Sequence, residues 1–130
     1  MAYDAARPRY TLPLDGEEYD LVGTFELIER IEHAMQDGII LVARRVMEMG
    51  MADTAKLAAA CTGEDRRRIG ATLFRLGLES EAITLLKAHL FFFLRIMLAP
   101  EADREEAAEK MGKLIGELTA SPGATTGASA

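Results

Sequence analysis

The spacing of apolar residues changes once along this chain, near Thr24, and that change constrains the fold more than any other feature. In residues 9–22, apolar and polar side chains alternate, which is the pattern of a β-strand with one buried face. From there to residue 119, apolar residues recur about every 3.6 positions, as they do in amphipathic helices. The sequence therefore predicts a mainly α (α+β) fold, in which a short β segment precedes a longer helical part.

An Asp15-Gly16 pair separates the two alternating runs and predicts a two-stranded hairpin over residues 9–22, with a two-residue type I′ turn. The register that this turn sets, with Leu14 opposite Glu17, places all the large apolar side chains on one face. They are Tyr10, Leu12, Leu14, Tyr19 and Leu21. Two strands are too few to be stable alone, so we expect this face to pack on the helices.

About six short helices follow, and capping residues, glycines and prolines mark their ends. Thr24 and Ser80 are suited to cap the first and the fifth helix, because a hydroxyl oxygen can accept a bond from a free backbone N–H. Pro100 ends the fifth helix and begins the sixth. The predicted ranges are 24–38, 39–49, 54–61, 64–76, 80–98 and 100–119. The first helix is predicted to bury Phe25, Ile28, Ile31 and Met35.

The chain has 130 residues, which is the size of one compact domain with a single core. We expect that domain to occupy residues 8–119. The segments 1–7 and 120–130 lack apolar periodicity, and the second is rich in small and polar residues. We therefore expect a disordered N-terminus and a disordered tail.

Reactive side chains are scarce, since the chain has two His, one Cys and no Trp. Three such residues cannot supply the four Cys or His ligands of a structural zinc site. Glu29 and His33 are four residues apart, but position 30 is Arg30, so the Glu-x-x-His spacing of a di-metal bundle is missing. Cys61 follows an alanine run and is predicted to be buried. We predict no catalytic, cofactor-binding or metal-binding residues and no enzyme activity. The lone thiol and the lack of a cleavable apolar leader predict a cytoplasmic protein.

The net charge is −6, which disfavours binding to nucleic acid and to anionic membrane surfaces. The most apolar stretch, 82–99, contains Lys87 and Arg95, so it is not expected to span a membrane. The densest basic run, at 66–68, follows Glu64 and Asp65 and is predicted to be a solvated helix face. We therefore predict no nucleic-acid partner and no membrane partner.

The order of these features resembles that of the small tail assembly proteins of phages and gene transfer agents, a family grouped with phage tail assembly chaperones. The resemblance covers roughly residues 9–98. The matching features are the strand end Leu14-Asp15-Gly16, the helix opening Thr24-Phe25-x-Leu27-x-x-x-Ile31-Glu32, and the helix ending at Gly77 before the long apolar one. The acidic helix after Pro100 departs from the usual pattern. The resemblance implies a non-enzymatic protein that binds the long helical tape measure protein, or other tail subunits, during tail assembly.

The fifth helix carries more apolar residues than one packing neighbour requires. Its main face collects Ile83, Leu86, Leu90, Phe93, Leu94 and Met97. Phe91, by contrast, lies among Thr84, Lys87 and Arg95, on the side expected to face water. We predict a partner-binding surface at Leu85, Phe91, Phe92, Arg95 and Ile96. The competing interpretation is a central helix that its own domain surrounds.

The sequence leaves open the role of the protein in the tail, its oligomeric state and the placement of the last helix. The protein can be a structural tail component retained in the finished particle, or a small oligomeric protein-interaction domain. Free strand edges of the hairpin could pair between copies and give a homo-oligomer. The helix at 100–119 can close the core, or it can cover the fifth helix until a client displaces it.

Overall fold

The computed structural model describes the backbone of residues 3–129 and the side chains of residues 3–118. A two-stranded antiparallel hairpin comes first and helices follow, which confirms the predicted mainly α fold. The strands are β1 (Arg9–Leu14) and β2 (Glu17–Val22). The helices are α1 (Phe25–Met35), α2 (Ile39–Arg45), α3 (Met51–Thr62), α4 (Arg66–Leu76), α5 (Glu81–Leu98) and α6 (Arg104–Ser129), with 3-10 turns at Val46–Glu48 and Glu101–Asp103. The last helix begins at Arg104 and continues to Ser129, past its predicted range of 100–119. The disorder of 1–7 and 120–130 stays a prediction, and residues 1, 2 and 130 lie outside the described backbone.

The hairpin has the predicted register, with Leu14 paired to Glu17 and the ladder continuing to Arg9 and Val22. Both turn residues have positive φ, 53° at Asp15 and 83° at Gly16, as a type I′ turn requires. The inward face is buried at Leu12, Leu14 and Leu21, with Tyr10 and Tyr19 partly buried beside them. The predicted apolar face is therefore confirmed.

The hairpin packs on α5 through β1 and on α3 through β2. The Tyr10 hydroxyl lies 2.7 Å from Nδ1 of His89, and its ring centroid lies 5.8 Å from that of Phe93. At the other end, Arg68 and Arg75 of α4 form ion pairs with carboxylates of the hairpin, Glu17 and Asp15 respectively. These contacts fix the sheet over one end of the helical core.

Side-chain oxygens accept hydrogen bonds at four helix starts, and at α4 the acceptor is the Asp65 carboxylate, 3.1 Å from the Arg67 N–H. The Thr24 hydroxyl accepts a hydrogen bond from the Leu27 N–H at 3.0 Å, and the Ser80 hydroxyl accepts one from the Ile83 N–H at 3.3 Å. Both caps were predicted from the sequence. For α2, the Glu32 carboxylate of the preceding helix accepts a bond from the first backbone N–H, at 2.8 Å.

Two local predictions are wrong. The third helix begins at Met51 rather than at Thr54, because the Gly50 carbonyl already accepts the first helical hydrogen bond, from the Thr54 N–H at 3.0 Å. On α1, Phe25 is 69% exposed instead of buried. That helix packs along α3 and buries Leu27 and Ile31. The position of α3 therefore decides which side of α1 is buried, and Phe25 lies outside that side.

The core forms around α5, which packs against the hairpin, the 3-10 turn at 46–48, α4 and α6. All six residues of its predicted main face belong to the central apolar cluster. Lys87 is buried as well, and its ammonium group donates a 2.7 Å hydrogen bond to the Met49 carbonyl. A buried cation is tolerated there because the carbonyl replaces part of its hydration.

None of the helices within residues 3–129 combines the length and the apolar composition that crossing a bilayer requires.

Gly23 joins the hairpin to α1 and leaves no room for a side chain. A Cβ atom added there would lie 2.8 Å from Cγ of Met97 and 2.9 Å from Cγ of Pro8, both in buried side chains. We expect Gly23→Ala to lower the free energy of unfolding by about 1–3 kcal/mol through overpacking. The matched control is Gly70→Ala, whose Cβ would meet only Ala55, at 3.9 Å, and which should raise stability by up to ~1 kcal/mol.

Urea unfolding followed by circular dichroism measures both effects. A Gly23→Ala protein as stable as the parent would contradict the packing described for this junction.

Candidate partner-binding surface

The five residues predicted to bind a partner all lie on α5, but the structure divides them by burial. Leu85 and Phe91 are half-buried, and Arg95 is exposed. Phe92 and Ile96 are only 8% and 2% exposed. The five side chains therefore do not form one open face.

One side of α5 lies outside the central apolar cluster and is nevertheless covered. Leu85, Ala88, Phe92 and Ile96, which we call the α5 flank, fall within about 80° of each other at 100° per residue. Ala88, Phe92 and Ile96 are buried, but none of them belongs to the central cluster. A different element must therefore cover them.

That element is α6, which packs on α5 and runs antiparallel to it, since Arg104 lies at Met97 and Leu118 lies near Leu85. At its first residue, the Arg104 guanidinium donates hydrogen bonds to the carbonyls of Met97 and Ala99, each at 3.1 Å. Farther along, Leu118 lines a cleft together with Leu85 and Ala88. The contacts at both ends place α6 along the α5 flank.

Phe91 lies on another side of α5, which was expected to face water. Thr84 and Arg95 are exposed there, but Lys87 is buried against the turn that precedes α3. Phe91 is half-buried, packs against the central cluster, and has its ring centroid 5.8 Å from that of Phe92. Its position is explained by packing within the domain.

Two clefts open beside Leu85, which lines both of them. The first, the turn cleft, has a volume of about 510 Å³ and lies between the hairpin turn and α5. Its lining residues are Pro13, Leu14, Asp15, Gly16, Glu17, Glu18, Ala82, Leu85 and Leu86. The second, the α5–α6 cleft, has a volume of about 450 Å³. It is lined by Met47, Glu79, Glu81, Thr84, Leu85, Ala88 and Leu118.

Both clefts combine apolar side chains with carboxylates. In the turn cleft, Asp15 and Glu17 are paired with arginines of α4, whereas Glu18 has no ion pair among the described side chains. In the α5–α6 cleft, Glu79 and Glu81 are likewise without an ion pair in that part of the chain. Apolar side chains of a partner can enter such clefts while its Lys or Arg residues face the carboxylates.

Sequence reasoning did not select Met47, Ala88 or Leu118 for this surface. Leu118 lies on the apolar stripe of α6, and that stripe was the available signal. Met47 is 45% exposed in the turn at 46–48, where helical periodicity gives no guide to orientation. Only the packing of three separate elements brings these residues to Leu85.

The reactive side chains are dispersed. Cys61 is buried as predicted, and burial raises the pKa of its thiol to about 12. Glu29 and His33 are both exposed on α1. Within the described residues, no group of three or more His, Cys, Asp or Glu side chains is arranged to hold a metal ion. Burial also raises the pKa of Tyr10, the partner of His89, to about 12.

The chain matches no protein-family model, and no similar curated protein or solved structure was found. The resemblance to tail assembly proteins stays a prediction.

His89 makes stability depend on pH. Burial lowers its pKa below the ordinary value of 6.5, so the folded protein favours the neutral imidazole that bonds to Tyr10. In the unfolded chain, the imidazole binds a proton near pH 6.5. The contribution of neutral His89 to the free energy of unfolding is therefore complete above that pH and is lost as the pH falls below it. We expect the free energy of unfolding to decrease on acidification, and His89→Gln to reduce that decrease.

Urea unfolding at several values between about pH 8 and pH 5 measures this dependence. His33→Gln is the control, because His33 is exposed, and it should keep the dependence of the parent. Equal pH profiles for His89→Gln and the parent would contradict the assignment to His89.

Proposed function

We propose that the protein is a non-enzymatic, phage-type tail assembly chaperone that binds the tape measure protein, or another tail subunit, in the cytoplasm. The observation that carries the proposal is the pair of acidic, partly apolar clefts on the two sides of Leu85. The class of client comes from the resemblance of residues 9–98 to tail assembly proteins.

An amphipathic helix is the client segment that suits these clefts best. The clefts meet at Leu85, so successive apolar side chains of one helix could occupy both. Unpaired carboxylates at Glu18, Glu79 and Glu81, all within the described part of the chain, favour a client with basic residues beside its apolar stripe. The resemblance implies a long helical client, which contains many such segments.

The charge distribution supports a protein client over a nucleic acid. The net charge is −6, and two of the arginines on α4, Arg68 and Arg75, are engaged by carboxylates of the hairpin. Arg66 and Arg67 remain as a small basic patch at the start of the helix. Phosphate binding requires a larger cluster of free cations on one face.

Replacement of Leu85 tests the proposed surface. We expect the tagged protein, produced together with the tape measure protein of the same cells, to co-purify with it. Leu85→Ser should lower the recovery about tenfold, because it removes the apolar side chain shared by both clefts. Phe74→Ser is the matched control: Phe74 is 79% exposed but lines neither cleft, so recovery should not change.

Mass spectrometry identifies the captured protein, and thermal unfolding shows that both variants remain folded. Recovery of no tail protein, or equal recovery with both variants, would overturn the proposal. Purified particles separate the two tail functions, since a chaperone is absent from them and a retained structural component is present.

A further inference from the structure

The contact between α6 and α5 is asymmetric. On α5, Phe92 and Ile96 are buried. On α6, no side chain in residues 104–118 reaches the same degree of burial. Its inner stripe is only partly buried and includes two small residues. The stripe consists of Ala107, Ala108, Met111 and Ile115. The fully buried apolar groups at this interface therefore belong to α5, whereas the apolar side chains of α6, including Met111 and Ile115, stay partly exposed.

The first residue of α6 makes a polar attachment to the domain. Besides its two bonds to the end of α5, the Arg104 guanidinium donates a 2.8 Å hydrogen bond to the carbonyl of Ala5. In the part of α6 whose side chains are described, the ion pair farther along joins Lys110 to Glu106 within the helix itself. The N-terminal end is thus fastened to the domain, whereas the ion pair beyond it adds nothing to the interface.

Two glycines weaken the helix beyond this point. Gly112 and Gly116 lie in the interior of α6, where glycine is the least favourable residue after proline. A Cβ atom added at either position would meet nothing within 4 Å. Neither close packing nor a positive φ therefore requires glycine there, and the result is a cover helix of low intrinsic stability.

From these observations we propose that the α5 flank is a docking surface for an amphipathic helix of a partner, which displaces α6 from it. The inference rests on the proposed function only in taking a tail protein as that partner. The structure itself shows what the surface accepts, since α6 is a helix seated antiparallel on it. A helix with Leu in place of Ala107 and Ala108 would bury more apolar area against Phe92 and Ile96.

Displacement of α6 also joins this surface to the clefts. Leu118 forms one wall of the α5–α6 cleft, opposite Leu85 and Ala88. When that wall leaves, the cleft becomes continuous with the flank as far as Ile96. A partner helix could then contact about three successive turns of α5 instead of the Leu85 region alone.

The test uses the full-length chain and a labelled synthetic peptide of residues 100–118, in which leucine replaces Ala107 and Ala108. Gly112→Ala in the full-length protein stabilises α6 and should weaken peptide binding up to about fivefold. Met111→Ser loosens the contact of α6 and should strengthen binding about fivefold or more. Gly70→Ala, the same exchange in α4, is the matched control and should leave the affinity unchanged.

Fluorescence anisotropy measures the affinities, and urea unfolding verifies that each variant is folded. Absence of peptide binding, or equal affinities for Gly112→Ala and the parent, would overturn the inference and identify α6 as a fixed cover. Peptide binding that changes as expected, with no tail protein captured, would support the docking surface and overturn the proposed function. If a tail protein is captured and Gly112→Ala does not change its recovery, the proposed function would be supported and the docking surface under α6 would be overturned.

Discussion

An 18-residue helix that is apolar on almost every side organises this protein. Such a helix cannot remain at a surface, because each uncovered side would expose large apolar side chains to water. The positions of the other elements satisfy that demand. The hairpin covers one side of α5, the 3-10 turn at 46–48 and α4 cover others, and α6 covers the flank.

Two polar side chains enter the interior with α5, and each then requires a hydrogen-bond partner. Lys87 finds the Met49 carbonyl in the turn before α3, and His89 finds the hydroxyl of Tyr10 on β1. These bonds are specific in position, whereas apolar contact is not. They therefore help to set where the turn and the hairpin lie relative to the central helix.

The surfaces proposed for client binding arise from the same demand to cover α5. The side of α5 that the hairpin and the main core leave free is covered by α6, whose described side chains are only partly buried, and acidic clefts lie beside Leu85. A partner helix could replace such a cover without disturbing the central cluster. In the proposed function, the protein recognises its client through packing surfaces and rim charges.

Local features were readable from the sequence. The hairpin register followed from Asp15-Gly16 and strict alternation, and the caps at Thr24 and Ser80 followed from hydroxyl groups placed before helical stripes. In each case, residues close in sequence determine the geometry through short-range hydrogen bonds and allowed φ angles. Pro100 set the end of α5 in the same way.

Periodicity was less informative about which side of a helix would be covered, and by what. The sequence placed Phe25 inside and Phe91 toward water, whereas packing along α3 exposes the first and the fold partly buries the second. It selected Phe92 and Ile96 as a surface, although α6 lies over them. By itself, the sequence determined the elements, their ends and the excess of apolar residues on α5, because these depend on neighbouring residues. Only the tertiary structure decided which sides were covered and where the clefts opened, because burial depends on elements that are distant along the chain.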